Sequence, residues 1–277
     1  VNPAHSTDKL PYTVQYKESA FAFLTRMASK KGEWFYYDGT DIVFGKRKAK
    51  KTDLHFGEDL MNFNLSVKLE DMKFKYLAYN YEKNQTVSSD SSLVNLTGLH
   101  KNATNAYNIS NSKFKHETLS FYNHALVSSK DKSQLDDRVK LIKQSIAAGL
   151  VTMSGSTRNV ELVLGGEIKI SEVTRDPQNK KTIDHGTYII TSLSHSCDRT
   201  GHYQNSFTAV PVQVDVPPYS SPHAIPFCET QIAKVMDNND PEKLGRIKVQ
   251  FLWQEAENTE SPWLRMVSPH TGQDKGI

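Results

Sequence analysis

The chain has 277 residues, a length that accommodates one large or two modest domains with their own cores, and we expect two. Hydrophobic residues make up 37% and charged residues 23%, as in ordinary globular proteins, while 12 Tyr and 12 Phe favour β-structure. A net charge of +3 is too small to indicate a nucleic-acid-binding protein, so we expect no nucleic acid partner.

The cellular compartment is inferred from targeting signals and cysteine usage. No segment approaches the roughly 18 consecutive apolar residues of a membrane helix, and the N-terminus has no signal-peptide pattern, so we expect a soluble protein. Cys197 and Cys228 lie in separate segments whose spacing requires no disulfide, which makes the cytoplasm the default origin. The chain begins without Met and ends directly after a predicted strand, so we expect it to be part of a longer protein.

The first predicted element is a helix that begins after Ser19 and ends at Gly32. Ser is a favoured N-cap and Gly a favoured terminator, and Lys30 and Lys31 suit the negative end of the helix dipole. The apolar residues of this helix recur with a period of 3.6 and form its apolar stripe. They are Ala20, Phe21, Leu24, Met27 and Ala28.

A β-hairpin is predicted directly after this helix, with strands over 33–37 and 40–45. The Asp38-Gly39 dipeptide between them is typical of a type I′ turn, whose two central residues have positive φ. The segment 46–51 is the one basic run of the chain, and we interpret it as a solvated loop rather than a phosphate-binding patch. Helix and hairpin together, residues 15–46, are the clearest local unit.

The middle of the chain changes character at residue 84. Residues 59–83 alternate loosely between apolar and polar side chains and predict further strands. Residues 84–118 are rich in Asn, Ser and Thr and have little periodic apolar content. We therefore expect this insertion to be a long, partly mobile loop.

A second helix is predicted over 133–148, because Leu135, Val139, Ile142 and Ile146 form an apolar stripe that Gly149 ends. Strands are predicted after it over 150–154, 160–164, 167–173, 187–195 and 203–211. We expect them to form a barrel within 150–214 and a first domain over 1–214. The four prolines of 215–226 indicate an extended linker.

The segment 227–277 predicts a small barrel. Residues 237–241 combine Asp, Asn and Pro, the residue types of a tight turn. After Gly245, alternating side chains predict a strand with one buried and one solvated face. The apolar members are Ile247, Val249 and Phe251, and the outward members are Arg246, Lys248 and Gln250. Neighbouring strands are predicted over 230–236 and 262–267.

The sequence contains only weak candidates for a metal site. The chain has no Gly-rich phosphate loop, nucleophile elbow or His-Glu-x-x-His helix. His195, Cys197 and His202 could meet around zinc on a hairpin, but structural zinc takes four ligands and no fourth has the right spacing. Strand-end polar residues are the favoured interpretation. We expect no metal, no cofactor and no catalytic residue.

Two further clusters have functional and structural interpretations. Glu255, Glu257 and Glu260 share one loop, as glycosidase acids can, but they lack the apolar surroundings that tune such acids, and a solvated loop is favoured. The aromatic run 35–37 could stack on a sugar or a base. Its side chains point to both faces of a strand, so packing is favoured.

Six sequence blocks resemble one family. They are QYKESAFAFLTRMASKKGEWFYY (15–37), LGGEIKIS (164–171), GTYIITSLSHSC (186–197), HYQNSFTAVPV (202–212), DPEKLGRIKVQFLWQ (240–254) and SPWLRMVSPHTG (261–272). In content and order they are similar to motifs of the VgrG (valine-glycine repeat protein G) family, the spike proteins of bacterial type VI secretion systems, which are related to the hub and spike of phage tails.

This resemblance implies a structural role. It implies a tail-hub-like β-rich domain over 1–214 and the N-terminal part of an OB-fold (oligonucleotide/oligosaccharide-binding) spike domain over 227–277, without the family's first hub barrel and β-helix needle. It also implies a homotrimer that meets inner-tube, baseplate, effector and spike-tip proteins, assembled in the bacterial cytoplasm and then secreted. The expected interface or structural residues are Gly245, Arg246, Lys248, Phe251, Trp253, Trp263 and Arg265.

Two alternative functions predict different structural features. A carbohydrate-active or peptidoglycan-cleaving tail-spike enzyme would have a buried carboxylate pair in a cleft. A free-standing ligand-binding β-protein would be a monomer with one deep aromatic pocket.

Overall fold

A computed structural model describes residues 12–122, 131–173, 181–220 and 228–267. The fold is mainly β with α-helices added, which confirms the predicted class. The helices in these residues are α1 (Ala20–Lys31), α2 (Lys101–Lys113) and α3 (Asp131–Ala148). The strands are β1 (Trp34–Tyr37), β2 (Ile42–Gly45), β3 (Lys51–Phe56), β4 (Leu60–Val67), β5 (Phe74–Asn80), β6 (Gln85–Asp90), β7 (Thr118–Phe121), β8 (Val151–Thr157), β9 (Glu167–Val173), β10 (Thr182–Cys197), β11 (Tyr203–Pro211), β12 (Ala233–Asp237), β13 (Arg246–Phe251) and β14 (Leu264–Arg265). Within the described ranges no helix is both long enough and apolar enough to cross a bilayer.

Contacts between residues divide the described chain into two units. The first unit holds residues 20–220, and the second unit holds 228–267 together with 12–19. The prediction of one domain over 1–214 placed residues 12–19 in the first unit instead. Hydrogen bonds explain their place in the second unit, because Tyr16 and Lys17 both donate to the carboxylate of Glu229.

The core of the first unit is a closed barrel with strand order β10-β11-β8-β4-β3-β9. Two of its strands, β3 and β4, precede the segment 150–214 in which the barrel was expected. They join because β3 pairs in parallel with β9 and β4 pairs antiparallel with β8. The buried interior consists of Leu54, Leu60, Met153, Leu162, Ile168, Ile170, Tyr188, Ile190, Phe207 and Ala209.

The prediction of a strand over 160–164 is wrong. This segment is a turn that begins where the side chain of Asn159 accepts a hydrogen bond from the amide of Glu161 (2.9 Å). The apolar residues of this turn reflect burial rather than a strand, since the side chain of Leu162 lies in the barrel core. Asn205 of β11 holds the turn in place by donating to the carbonyl oxygen of Asn159 (2.7 Å).

Helix α1 ends as predicted, in a Schellman motif. Gly32 has φ of +74°, and the amides of Gly32 and Glu33 donate to the carbonyl oxygens of Ser29 and Ala28. The hairpin that follows has a four-residue loop, 38–41, rather than the expected two-residue turn. The reason is the Asp38 carboxylate, which accepts from two loop amides and stabilises the wider turn.

The expectation that residues 84–118 form a long loop is also wrong. This segment contains β6, a 3-10 turn at 91–93, α2 and the start of β7. Asn and Ser have weak helix propensity, but α2 buries small side chains at helical spacing, Ala103, Ala106 and Ser110. Packing on the neighbouring residues therefore overrides the local preference.

A second layer forms where α3 covers the three-stranded sheet β6-β5-β7. The predicted stripe of α3 is confirmed at Leu135 and Val139, which are fully buried. Lys143 of α3 is buried too, although a lysine on a helix is usually solvated. Its ammonium donates to the carbonyl oxygens of Ser91 (2.8 Å) and Val94 (2.9 Å) and so ties the 3-10 turn to α3.

Two segments expected to be solvated or extended are packed. In the basic run, Arg47 is largely buried, lies over the ring of Trp34 and pairs with Glu167 (3.3 Å). In the proline-rich segment, the described residues 215–220 lie against α3, where the Ser145 hydroxyl lies within hydrogen-bond distance of the Pro217 and Ser220 carbonyl oxygens.

Candidate assembly surfaces

The turn that precedes β13 is closed by a buried ion pair. Arg246 was expected on the outward face, but its guanidinium donates to both oxygens of the Asp240 carboxylate, at 3.0 and 2.8 Å, and only 7% of its side chain is exposed. Asp240 also accepts from the amides of Glu242, Leu244 and Arg246. The hydrogen bond from Arg246 is the main reason that the pKa of Asp240 lies far below its usual value. Arg246 is therefore an internal clamp, because the turn folds back over the first residue of the strand.

Lys248, the other predicted outward cation, has partners within the second unit. Its ammonium lies 2.6 Å from a carboxylate oxygen of Glu260 and 5.4 Å from the centre of the Trp263 ring. Glu260 belongs to the acidic loop considered for glycosidase chemistry, and this ion pair engages it. Glu255 and Glu257 of the same loop are exposed, as expected of a solvated loop.

Phe251 and Trp253 stack at the end of β13, with ring centres 5.4 Å apart and planes within 5° of parallel. The indole of Trp253 donates to the side chain of Gln231 (2.9 Å). The buried Gln254 donates to the hydroxyl of Tyr12 (3.1 Å), which binds the N-terminal segment 12–19 to this end of the strand. This frame explains how residues far apart in sequence share the second unit.

The two remaining predicted residues shape the strand ends. Gly245 has φ of +69° directly before β13, and Arg265 of β14 pairs in register with Arg246. Most of the predicted interface residues thus build the frame of the second unit. Among the aromatic members Trp253 is 45% exposed, whereas Phe251 and Trp263 are half-buried, and Arg265 is exposed too. An interface role for this set stays a prediction.

The weak metal candidates lie near one hairpin end, formed by β10 and β11. The ring of His195 lies 2.5 Å from the hydroxyl of Tyr203, and the ring of His202 lies 3.2 Å from the carboxylate of Asp198. The thiol of Cys197 is free and exposed. In the parts of the chain that the structure describes, no three His, Cys, Asp or Glu side chains are placed to hold a metal ion.

A cavity of about 190 Å³ lies in the first unit. Ligand pockets usually measure roughly 300–1,000 Å³ and are lined by aromatic side chains. None of the residues lining this cavity is aromatic, and its polar groups include Lys140, Gln144 and Asp215, of which the last two hydrogen-bond to each other (3.1 Å). It is unlike the deep aromatic pocket that a ligand-binding protein would need.

The first apolar surface, the α1–hairpin patch, consists of Phe21, Leu24, Tyr37 and Ile42. The predicted stripe of α1 is buried only at Met27 and Ala28, whereas Phe21 is 59% exposed. Phe21 leans on Phe35 with ring centres 5.0 Å apart, and the paired Tyr37 and Ile42 continue the same face of the hairpin. The alternation of a two-stranded ribbon leaves these side chains outward, because Trp34, Tyr36 and Val43 fill the inner face.

The second apolar surface, the outer sheet face, consists of Leu77, Tyr79, Leu119 and Phe121. It is the side of the β6-β5-β7 sheet away from α3, and Leu119 and Phe121 are 62% and 58% exposed. The sequence did not reveal it, because no strand was predicted between the loop expected over 84–118 and the helix expected over 133–148. The alternating Thr-Leu-Ser-Phe of 118–121 was the available signal for an edge strand.

Two family models match successive parts of the sequence. The model of the phage tail baseplate hub (GPD) matches residues 2–200, and that of the type VI secretion system/phage-baseplate injector OB domain matches residues 231–277. Both agree with the resemblance to hub and spike proteins carried by the sequence motifs. No curated protein sequence shows significant similarity to the chain.

Solved structures of tail proteins are similar at low sequence identity. A tail protein from Neisseria meningitidis MC58 is 9% identical over 79% of this chain, with a TM-score of 0.48. The 43 kDa tail protein of prophage MuSo2 from Shewanella oneidensis is 11% identical over 78%, with a TM-score of 0.43. The c3393 protein of E. coli, a type VI secretion component with structural similarity to T4 tail proteins gp27 and gp5, is 17% identical over 86%, with a TM-score of 0.45. The chain spans 63%, 61% and 51% of the lengths of these three proteins.

Proposed function

Since this chain belongs to the phage tail baseplate hub (GPD) family, we propose that it is a structural subunit at the centre of a contractile injection apparatus. The observation that carries the proposal is the order of the two family matches, a hub followed by an injector OB domain. Both models describe structural baseplate components rather than enzymes.

In this role the chain assembles as a homotrimer that caps the inner tube and contacts neighbouring baseplate proteins. With a spike-tip protein it helps to puncture the target membrane and delivers effectors that travel with the spike. The subunit is made in the bacterial cytoplasm, incorporated into the apparatus, and then expelled with it.

The fold has properties that suit a load-bearing part. A closed barrel has no free strand edges, and its hydrogen bonds are shared around the ring, which makes it stiff. Among the described residues, the chain also passes between its two units at residues 19–20 and again between 220 and 228, so more than one covalent connection joins them.

The proposal is tested by light scattering and electron microscopy of this chain. We expect a concentration-dependent species of about three times 31.3 kDa, three-fold symmetric particles, and binding of these particles to the ends of tubes formed by the inner-tube protein of the same apparatus. A chain that stays monomeric at every concentration and leaves tube ends uncapped would contradict the proposed function.

A further inference from the structure

Among the residues that the structure describes, one face of the β6-β5-β7 sheet of the first unit is covered and the other is largely open. Phe74, Tyr76 and Ala78 of β5 point toward α3 and are buried in one apolar cluster with it. The side chains between them, Leu77 and Tyr79, point to the outer sheet face. Such a half-covered antiparallel or mixed sheet normally carries polar side chains on its outer face.

The outer sheet face is polar on its β6 side and apolar on its β7 side. Strand pairing places Leu119 of β7 beside Lys75 of β5, and Phe121 of β7 beside Leu77 of β5. On β6 the same face carries Thr86, Ser88 and Asp90, opposite Tyr79, Leu77 and Lys75. The apolar exposure is therefore concentrated along the strand at one edge of the sheet.

Within the described ranges, that edge carries strand amides that pair with no other strand. The amides of Thr118 and Tyr122 donate to the carbonyl oxygens of Lys73 (2.9 Å) and Leu77 (2.7 Å). Successive amides of a strand alternate in direction, so those of Leu119 and Phe121 point away from β5. Among the described residues no strand pairs with β7 on that side. An exposed edge strand with apolar side chains is a template for pairing with another chain.

A second copy of this chain fits that edge by direction and by symmetry. β6 runs antiparallel to β5 and β7 runs parallel to it, so the two open edges of the sheet run in opposite directions. β7 of one copy can therefore join β6 of another as an ordinary antiparallel pair. A three-fold assembly needs a head-to-tail contact between different surfaces, whereas a β7 to β7 contact would produce a two-fold dimer.

We propose that in the hub trimer the β7 edge of each subunit adds to the β6 edge of the next, so that the three sheets join head to tail. This inference rests on the proposed function, because it names the surface through which the copies meet. The contact places Leu119 and Phe121 beside Thr86 and Ser88 of the next subunit, which reduces their exposure to water.

Cross-linking tests the contact directly. In a Cys197→Ser, Cys228→Ser background, which removes both exposed thiols, Leu119→Cys and Ser88→Cys are combined in one chain and treated with a short bis-maleimide. We expect covalent dimers and trimers from the double variant and none from either single variant. A trimer by light scattering that yields no cross-link, or dimers from Leu119→Cys alone, would refute the sheet contact while leaving the trimeric hub intact. A chain that never forms trimers would refute both.

Charge at the edge supplies a second readout. Lysine on an edge strand blocks pairing with another chain, so Phe121→Lys should weaken trimer association at least tenfold in sedimentation equilibrium and leave the Tm of the monomer unchanged. Ile42→Lys, on the equally exposed α1–hairpin patch, is the matched control and should leave association unchanged. Equal effects of the two lysines would overturn the proposal, because they would indicate a general charge effect.

Discussion

The ring of Tyr36 lies against the backbone of Gly165, so closely that a side chain at Gly165 would begin 2.2 Å from the ring carbon that bears the hydroxyl. This contact joins two of the sequence blocks that carry the family resemblance, the aromatic run after α1 and the glycine-led strand of the barrel. The Gly165 amide donates to the Ile190 carbonyl oxygen (2.9 Å), and Arg47 donates to the carbonyl oxygen of Gly165 (3.1 Å). The hairpin is thus fixed to the barrel at a point where only glycine fits.

The first prediction is that Gly165→Ala destabilises the first unit by about 2–4 kcal/mol, because alanine would adopt a positive φ and also displace the Tyr36 ring. Gly98→Ala is the matched control. Its φ of +72° is close to the +75° of Gly165, but no atom lies within 4 Å of its added Cβ. We expect about 1 kcal/mol for the control by urea unfolding. Equal losses in the two variants would show that the contact with Tyr36 contributes nothing.

The second prediction concerns the buried cation of α3. Lys143→Met leaves the carbonyl oxygen of Val94 without its donor and removes one of the two donors to that of Ser91, which keeps the Val94 amide, and it should lower the free energy of unfolding by about 2–3 kcal/mol. Lys140→Met lies on the same helix at an exposed position and should change it by less than about 0.5 kcal/mol. Hydrogen exchange of the segment 91–99 provides a local readout. Unchanged protection of this segment in Lys143→Met would contradict the role assigned to the ammonium.

The third prediction separates the two halves of α1. Met27→Ala removes a buried side chain and should cost about 2–4 kcal/mol of unfolding free energy. Phe21→Ala removes a larger side chain that is mostly exposed, and its remaining contact with Phe35 limits the loss to about 1 kcal/mol. Thermal unfolding of both variants distinguishes two possibilities. In the structure only part of the α1 stripe is buried, whereas the sequence periodicity indicates a stripe that is buried along its whole length. A larger loss for Phe21→Ala would favour the stripe.

Elements determined by local chemistry could be predicted from the sequence. The bounds of α1, β9 and β11 follow from caps, glycines and strict alternation, and the structure reproduces them within a residue. α2 could not be predicted in this way, because its Asn and Ser residues favour loops and only distant packing partners make the helix stable. The place of β3 in the barrel is equally non-local, since its partner β9 lies more than a hundred residues away.

In the candidate assembly surfaces, too, the features that depend on distant contacts could not be predicted from the sequence. Period-2 alternation placed Arg246 outward, and it identified neither Asp240 as its partner nor the fold of the turn that buries the pair. The apolar edge of β7 was missed for the opposite reason, because four residues after a polar insertion are too few to establish a period. Whether a side chain remains exposed depends on which parts of the chain pack next to it, and a single sequence contains little information about such packing.

The last prediction concerns the response of the second unit to acid. The hydrogen bond from Arg246 lowers the pKa of Asp240 in the folded state below its ordinary value of 3.8, so between these two values the unfolded chain binds more protons. The stability that this contact contributes is therefore complete above the unfolded pKa and is lost as the pH falls through the folded pKa. In urea unfolding read by pulsed hydrogen exchange of residues 237–251, the midpoint should fall as the pH is lowered below about 4.

Asp240→Asn should have a lower unfolding midpoint at neutral pH, because Arg246 loses its charged partner, and the midpoint should depend less on pH. Asp237→Asn, a change in the same turn that leaves the Arg246 clamp intact, should retain the wild-type profile. An acid profile of Asp240→Asn that parallels the wild type would show that other carboxylates govern the acid response of this unit.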